Sequence, residues 1–548
     1  MRVICLGFDG ASPELVEKWK RDLPNFSRVM AEGAWGRLKS VVPPVSPQAW
    51  SSFATGRNPG KHGIFGFKRK KPRSYALEFV TGAAMKAKPI WCYLSEHGKR
   101  VVVVNIPVTY PPVAVNGVLL SGMDAPGKDC EYTYPRELRQ EIERLFPDYV
   151  ISLHFGGYLT SEKRIEEAIG ELLHEADVRT RVFLHLLARG GDFAAVKYNL
   201  TDLAHHYFWR FMDEHHPGYD PDLGSKFSDA IFRVYRKADG CIGIVRERFP
   251  DATIILLSDH GGGSARNKTV YLNEWLRAQG LLVPKKTGGG VRGRVTETLE
   301  SAMLCLMRHL SGRAKDSLRR LLPGLRSRVV SWLKFANIEW SRTKAFAGES
   351  YGAIRINRAG EYPEGIVEPG EYEALRSSII RGLEALTDPD TGERCFEKVF
   401  RREDIYAGAF VADAPDLIAI TTDLAYFMSA KLRKGTNLRV VEPKAHWRGV
   451  SGVHRLHGIV GAVGPGVKGG VELANAEIID LAPTILHLMG LPIPRDYDGK
   501  VLVDMLEDSG RAPVYAEDSE WHGGAGGTYT KEDEAKVAET LRGLGYIE

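Results

Sequence analysis

Six short runs of this chain are apolar without alternating: 2–8, 100–106, 117–121, 194–198, 253–258 and 458–463. They are rich in Val and Ile, as in Arg100-Val-Val-Val-Val-Asn-Ile106. A strand with apolar side chains on both faces must be covered on both faces, which is the habit of parallel sheets. Helical periodicity accompanies several of the runs, over 13–32, 225–249 and 475–489. Strands alternating with helices predict an α/β fold with a mostly parallel central sheet flanked by helices.

The 548 residues allow one large core with insertions as readily as three or four separate domains. Residues 57–190 mix turns, short strands and an amphipathic helix near 162–189, and read as cap-like segments beside the core. Residues 285–344 open with Lys-Lys-Thr-Gly-Gly-Gly-Val-Arg-Gly-Arg and continue into helical patterns over 296–311, 314–322 and 325–336, a basic helical insertion. The expected core is therefore 1–284 with 345–510, and 511–548 is a tail whose charged helix, 530–543, is expected to pack on the surface.

Charge is unevenly spread. From Lys285 to Lys334 twelve Lys and Arg face Glu297, Glu300 and Asp316, a net of +9. The whole chain carries +5, so the remainder carries −4 (5 minus 9). The basic stretch could meet an anionic membrane surface or nucleic acid, act as a lid, or be a helical hairpin with a solvated face. No signal peptide or 18-residue apolar stretch is evident, and the six cysteines form no CxxC. These features predict a cytoplasmic chain without disulfides or thiolate metal sites. No stable protein partner is implied.

Chemistry gathers at four places. Asp9 follows the first strand, where open α/β sheets collect ligands, although a turn or a helix cap would also place an Asp there. Ser46-Pro47 reads as N-cap and first position of a helix that Gly56 ends. A hydroxyl there faces free N–H groups and the positive end of the helix dipole. Asp202 and His206, spaced i and i+4, share a helical face and could hold a divalent ion or merely pair, while His205 points elsewhere. The strand 253–258 ends in Asp259-His260 and three glycines. Glycine lets the chain leave strand geometry, so both side chains could turn toward one ion, and their chemistry suits zinc or manganese.

Taken in order with a late His454, this set resembles the alkaline phosphatase superfamily. The likeness is to its type I phosphodiesterase/nucleotide pyrophosphatase branch and to archaeal and bacterial phosphohydrolase/phosphomutase-like proteins. It spans about 1–285 and 340–510. Thr55-Gly-Arg-Asn-Pro-Gly-Lys-His-Gly-Ile64 resembles the segment after the branch's nucleophile, and Ser451-Gly-Val-His-Arg455 its last metal-ligand segment. Ile479-Asp-Leu-Ala-Pro-Thr-Ile-Leu486 and Asp498-Gly499 resemble its closing helix and loop.

The resemblance implies an alkaline-phosphatase-like core and two divalent ions, zinc with manganese as the alternative. Asp202, His206 and His454 would hold one. Asp9, Asp259, His260 and the Ser46 oxygen would hold the other. The implied activity is hydrolysis of a small phosphorylated substrate, monoester or diester, through a phosphoserine at Ser46. A metal-dependent phosphomutase is the enzymatic alternative, and a binding protein acting through the basic insertion is another. The branch's usual Thr nucleophile and phosphate-contacting Asn are here Ser46 and Ala49, so diester preference is not carried over. Pro47 and the absence of an Arg four residues after Ser46 disfavour a sulfatase. Trp50 is expected to wall the substrate pocket, His62 to hold a loop, and His457 to lie on the surface or, as the alternative, to rim a pocket.

Overall fold

The computed structural model describes residues 2–155, 159, 161–285, 337–349, 351–433, 439–443, 449–507, 512–518, 520, 521, 523 and 529–546. The helices expected within 296–336 lie outside these residues.

Among the described residues nine strands form the central sheet, in the spatial order 471–477, 34–39, 457–463, 252–257, 2–8, 193–198, 101–106, 117–121 and 133–134. The strand Arg2–Phe8 lies between Ala252–Leu257 and Phe193–Tyr198, parallel to both. Five of the eight pairings are parallel, and the antiparallel ones involve 457–463 and the short edge strand 133–134. Alternate residues of the first strand serve two apolar clusters on opposite faces: Ile4, Leu6 and Phe8 one, Val3 and Cys5 the other. That two-sided burial accounts for the non-alternating run.

Two expected elements differ in detail. The pattern over 13–32 is two helices, Pro13–Trp19 and Pro24–Glu32, joined by a 3-10 turn. Pro24 lacks an N–H and disfavours helical geometry at Leu23, so the helix restarts there. Of 475–489 only Leu481–Leu488 is α-helical, and Val471–Glu477 is an edge strand. The tail helix Lys531–Gly543 packs on the core, with Ala538 buried and Val537 and Leu541 buried in the main cluster. Residues 345–421 form a separate four-stranded antiparallel sheet, whose apolar cluster takes Ile379 and Leu383 from the helix Pro369–Glu384.

One contact sets the helix of Ser46 against the strand of Asp9. Trp50 is fully buried and its ring lies over Gly7, where a Cβ would come within 2.3 Å of the indole. Trp50 therefore docks the helix Ser46–Thr55 onto the sheet rather than walling a pocket, which corrects that expectation. Gly7→Ala would force the ring aside. It is expected to cost about 1–3 kcal/mol of stability, read from the urea midpoint; an unchanged midpoint would refute this docking role.

Candidate active site

The site assembles where the central parallel strands end. Asp9 is the first residue past the opening strand; its N–H donates to the Tyr198 carbonyl at 3.0 Å, and its carbonyl accepts from Thr201 Oγ1 at 2.5 Å. Gly10 turns the chain with φ +70°, and a Cβ there would meet Asp202 at 3.0 Å. Glycine alone reconciles the turn with the approach of Asp202. Gly10 N–H also donates to Asp259 Oδ1 at 3.3 Å. The neighbouring strand stops at Leu257, so Asp259 and His260 are released from strand alternation. Gly261–Ser264 then pairs antiparallel with Gly452–Arg455, placing His454 opposite Gly262.

Six of the seven sequence-derived candidates are connected by short contacts. His260 Nε2 lies 3.3 Å from Asp9 Oδ1 and 3.5 Å from Asp259 Oδ2. Asp202 Oδ1 lies 3.3 Å from His206 Nε2 and 3.6 Å from His454 Nε2. The His260 and His454 rings stack at 3.7 Å and join the two groups. Ligand atoms of Asp9, Asp259 and His260 lie within 4.8 Å of one another, as do those of Asp202, His260 and His454.

The histidine tautomers are set by the backbone. His206 Nδ1 lies 2.9 Å from the Gly452 carbonyl, His260 Nδ1 2.9 Å from the Gly261 carbonyl and His454 Nδ1 2.8 Å from the Pro44 carbonyl. A carbonyl cannot donate, so each Nδ1 carries the proton and each Nε2 is turned into the cluster. His206 Nε2 and His454 Nε2 are only 3.3 Å apart. Two lone pairs at that distance repel unless a proton or a cation lies between them.

Ser46 Oγ is buried and makes no hydrogen bond among the described residues. The expected capping role is corrected: Val45 is the N-cap, Ser46 is the first helical residue, and no side chain caps the helix. The Ser46 hydroxyl is thus not consumed by structure. The Pro44 carbonyl, two residues earlier, ties this loop to His454.

Asp9, Asp202 and Asp259 are all buried. Burial alone would raise their pKa values. At Asp9 the Lys197 ammonium and His260 overcome it and hold the carboxyl below its usual value. At Asp202 the three histidines do the same. Asp259 is raised, by burial and then by Asp9. Burial opposes charging of His260, but Asp259 and Asp9 prevail and raise it to about 10. His454, buried and beside His260, falls to about 3. Asp9 Oδ1, Asp259 Oδ2 and His260 Nε2 are also buried without a hydrogen bond among the described residues. Carboxylate oxygens and imidazole Nε2 atoms in these positions fit divalent cations.

Two contributors went unread in the sequence. Lys197 is buried in the strand Phe193–Tyr198 and forms an ion pair with Asp9 Oδ2. A lysine inside a run buried on both faces must have a partner, and that was the available signal. Tyr546 donates to Asp202 Oδ2 at 2.7 Å, and no local pattern announces it. The supporting histidines follow expectation: His205 contacts Tyr235 at 3.1 Å, and His62 joins Ser52 Oγ to the Ile64 N–H. Of its two expected places His457 takes the pocket rim rather than the open surface, lining a cavity of about 630 Å³ with Pro44, Arg37, Gly262 and Arg455.

Among the described residues no helix is long and apolar enough to cross a membrane. No curated protein matches the chain. The family described as type I phosphodiesterase / nucleotide pyrophosphatase matches residues 3–447, which takes in Asp9, Ser46, Asp202, His206, Asp259 and His260 and ends before His454. With its nine-stranded α/β core and this site, the chain belongs to the type I phosphodiesterase / nucleotide pyrophosphatase family of phosphate-ester hydrolases.

Proposed function

We propose that this chain hydrolyses phosphate esters with two divalent ions and a phosphoserine formed on Ser46. The observation that carries the proposal is the set of three histidines, each holding its Nδ1 proton on a backbone carbonyl and aiming Nε2 at a buried carboxylate cluster. Ligands oriented this way are the usual accompaniment of a metal centre. Asp202, His206 and His454 would hold one ion, and Asp9, Asp259, His260 and Ser46 Oγ the other. Zinc suits the mixed imidazole and carboxylate set, with manganese as the alternative. Bound there, such ions neutralise the phosphate and lower the pKa of a coordinated hydroxyl or water.

The chain's own residues supply the remaining steps. Ser46 gives up its hydroxyl proton as Oγ attacks phosphorus; the Oγ–P bond forms as the bond to the leaving oxygen breaks, and the leaving oxygen takes up a proton. The first-turn N–H groups of the uncapped helix Ser46–Thr55 favour the phosphoryl oxygens. Water then attacks the phosphoserine, releasing phosphate and restoring the serine hydroxyl. Lys197 keeps Asp9 anionic throughout, by direct ion pairing.

Ser46→Ala tests the nucleophile. Turnover of aryl phosphate monoesters and diesters should fall by roughly 10³-fold or more, and no acid-stable phosphoprotein should form from a labelled substrate. Retained turnover would exclude Ser46 as nucleophile. With a phosphosugar, free phosphate as product marks hydrolysis, whereas an isomerised sugar phosphate marks a mutase. Chelation should abolish activity, and Zn2+ or Mn2+ should restore it; turnover that survives verified metal removal refutes the metal requirement.

Metal binding should also depend on pH in a defined sense. His260 is raised to about 10, so at neutral pH a metal must displace its Nε2 proton. Apparent affinity should therefore rise with pH up to about 10 and fall as the solution is acidified. Calorimetry in buffers of different ionisation enthalpy would show proton release. Binding at neutral pH without proton release would contradict this reading.

A further inference from the structure

The two oxygens of Asp202 face different surroundings. Oδ1 points into the cluster, 3.3 Å from His206 Nε2 and 3.6 Å from His454 Nε2. Oδ2 accepts a hydrogen bond from the phenol of Tyr546 at 2.7 Å. A tyrosine 344 positions along the chain thus occupies the oxygen that the histidines leave free.

This placement is built from several directions. The tail helix Lys531–Gly543 is capped by Thr530, whose hydroxyl accepts from the Asp533 N–H. Leu541 and Leu544 are buried in the main apolar cluster. Tyr207 Oη donates to the Gly543 carbonyl at 2.6 Å, and Tyr351 Oη donates to the Tyr546 carbonyl at 2.7 Å. The Tyr546 ring stacks on Phe67 at 5.0 Å and stands edge-on to His206 and His454, 5.9 Å from each. It is 3% exposed, so it also closes one side of the cluster to water.

A carboxylate with two free oxygens can rotate and bind an ion through either or both. A phenol fixed on one oxygen leaves the other as a ligand of defined direction, and partners of this kind tune the metal affinity of the ligands they hold. We propose that Tyr546 is a positioning residue of the metal centre, and that the C-terminal tail, beyond the family match at 3–447, completes the active site by locking Asp202 with Oδ1 toward the ion. This inference rests on the reading of Asp202 as a metal ligand.

The test uses the full-length protein. Tyr546→Phe keeps the ring and removes only the hydroxyl. Zn2+ affinity by chelator competition is expected to fall about ten-fold, and the visible spectrum of the Co2+-loaded protein is expected to change. A purely structural tyrosine, replaced by Phe of the same shape, would move neither. Zn2+ affinity and a Co2+ spectrum equal to those of the unaltered protein would overturn the proposal. Asp202→Asn, measured alongside, separates the two claims. If it loses metal while Tyr546→Phe is silent, the metal site stands and the role of Tyr546 falls. If Asp202→Asn binds Zn2+ undiminished, both fall. Should Tyr546→Phe fail to fold, Tyr207→Phe loosens the tail at the Gly543 carbonyl. Weaker Zn2+ binding there supports the proposal, and unchanged binding overturns it.

Discussion

The central constraint of this structure is the burial of negative charge. Asp9, Asp202 and Asp259 meet out of contact with water, and Lys197 is paired to Asp9. Taking a carboxylate into a low-dielectric interior is costly unless positive charge or donors meet it. The surroundings answer with three histidines whose free nitrogens face the acids, and His260 is driven to hold a proton far above its ordinary range. A site that draws in positive charge this strongly, with each imidazole already oriented, is suited to divalent cations.

The fold delivers these groups from distant parts of the chain by one device. Parallel strands end on a common edge, so the residues just beyond Phe8 and Leu257 and the helix that follows Tyr198 gather there. The remaining pieces are attached by specific contacts. Trp50 over Gly7 docks the serine helix, the pairing of Gly262 with His454 brings in the last histidine, and Pro44 ties that histidine back to the serine loop.

Much of this was legible in the residues themselves. The Val/Ile runs announced strands buried on both faces, because an amphipathic strand would alternate. Asp259-His260 before three glycines announced a place where strand geometry is abandoned, and Asp202 and His206 announced a shared helical face. Ser46 was found for its chemistry but misread locally: Ser-Pro at a helix start suggested a cap, whereas Val45 takes that place and the hydroxyl is left without a bond. Trp50 was misread because its sequence neighbours are site residues, while its ring points back into the core.

The sequence by itself determined the α/β class and the identity of the metal-binding candidates, because hydrophobic periodicity and the pairing of ligand-type residues with strand ends are local properties. Only the tertiary structure decided which nitrogen of each histidine is turned inward, that Lys197 is the partner of Asp9, and that Tyr546 reaches Asp202. Those facts depend on backbone carbonyls and side chains brought together across hundreds of residues, and no local pattern encodes such a meeting.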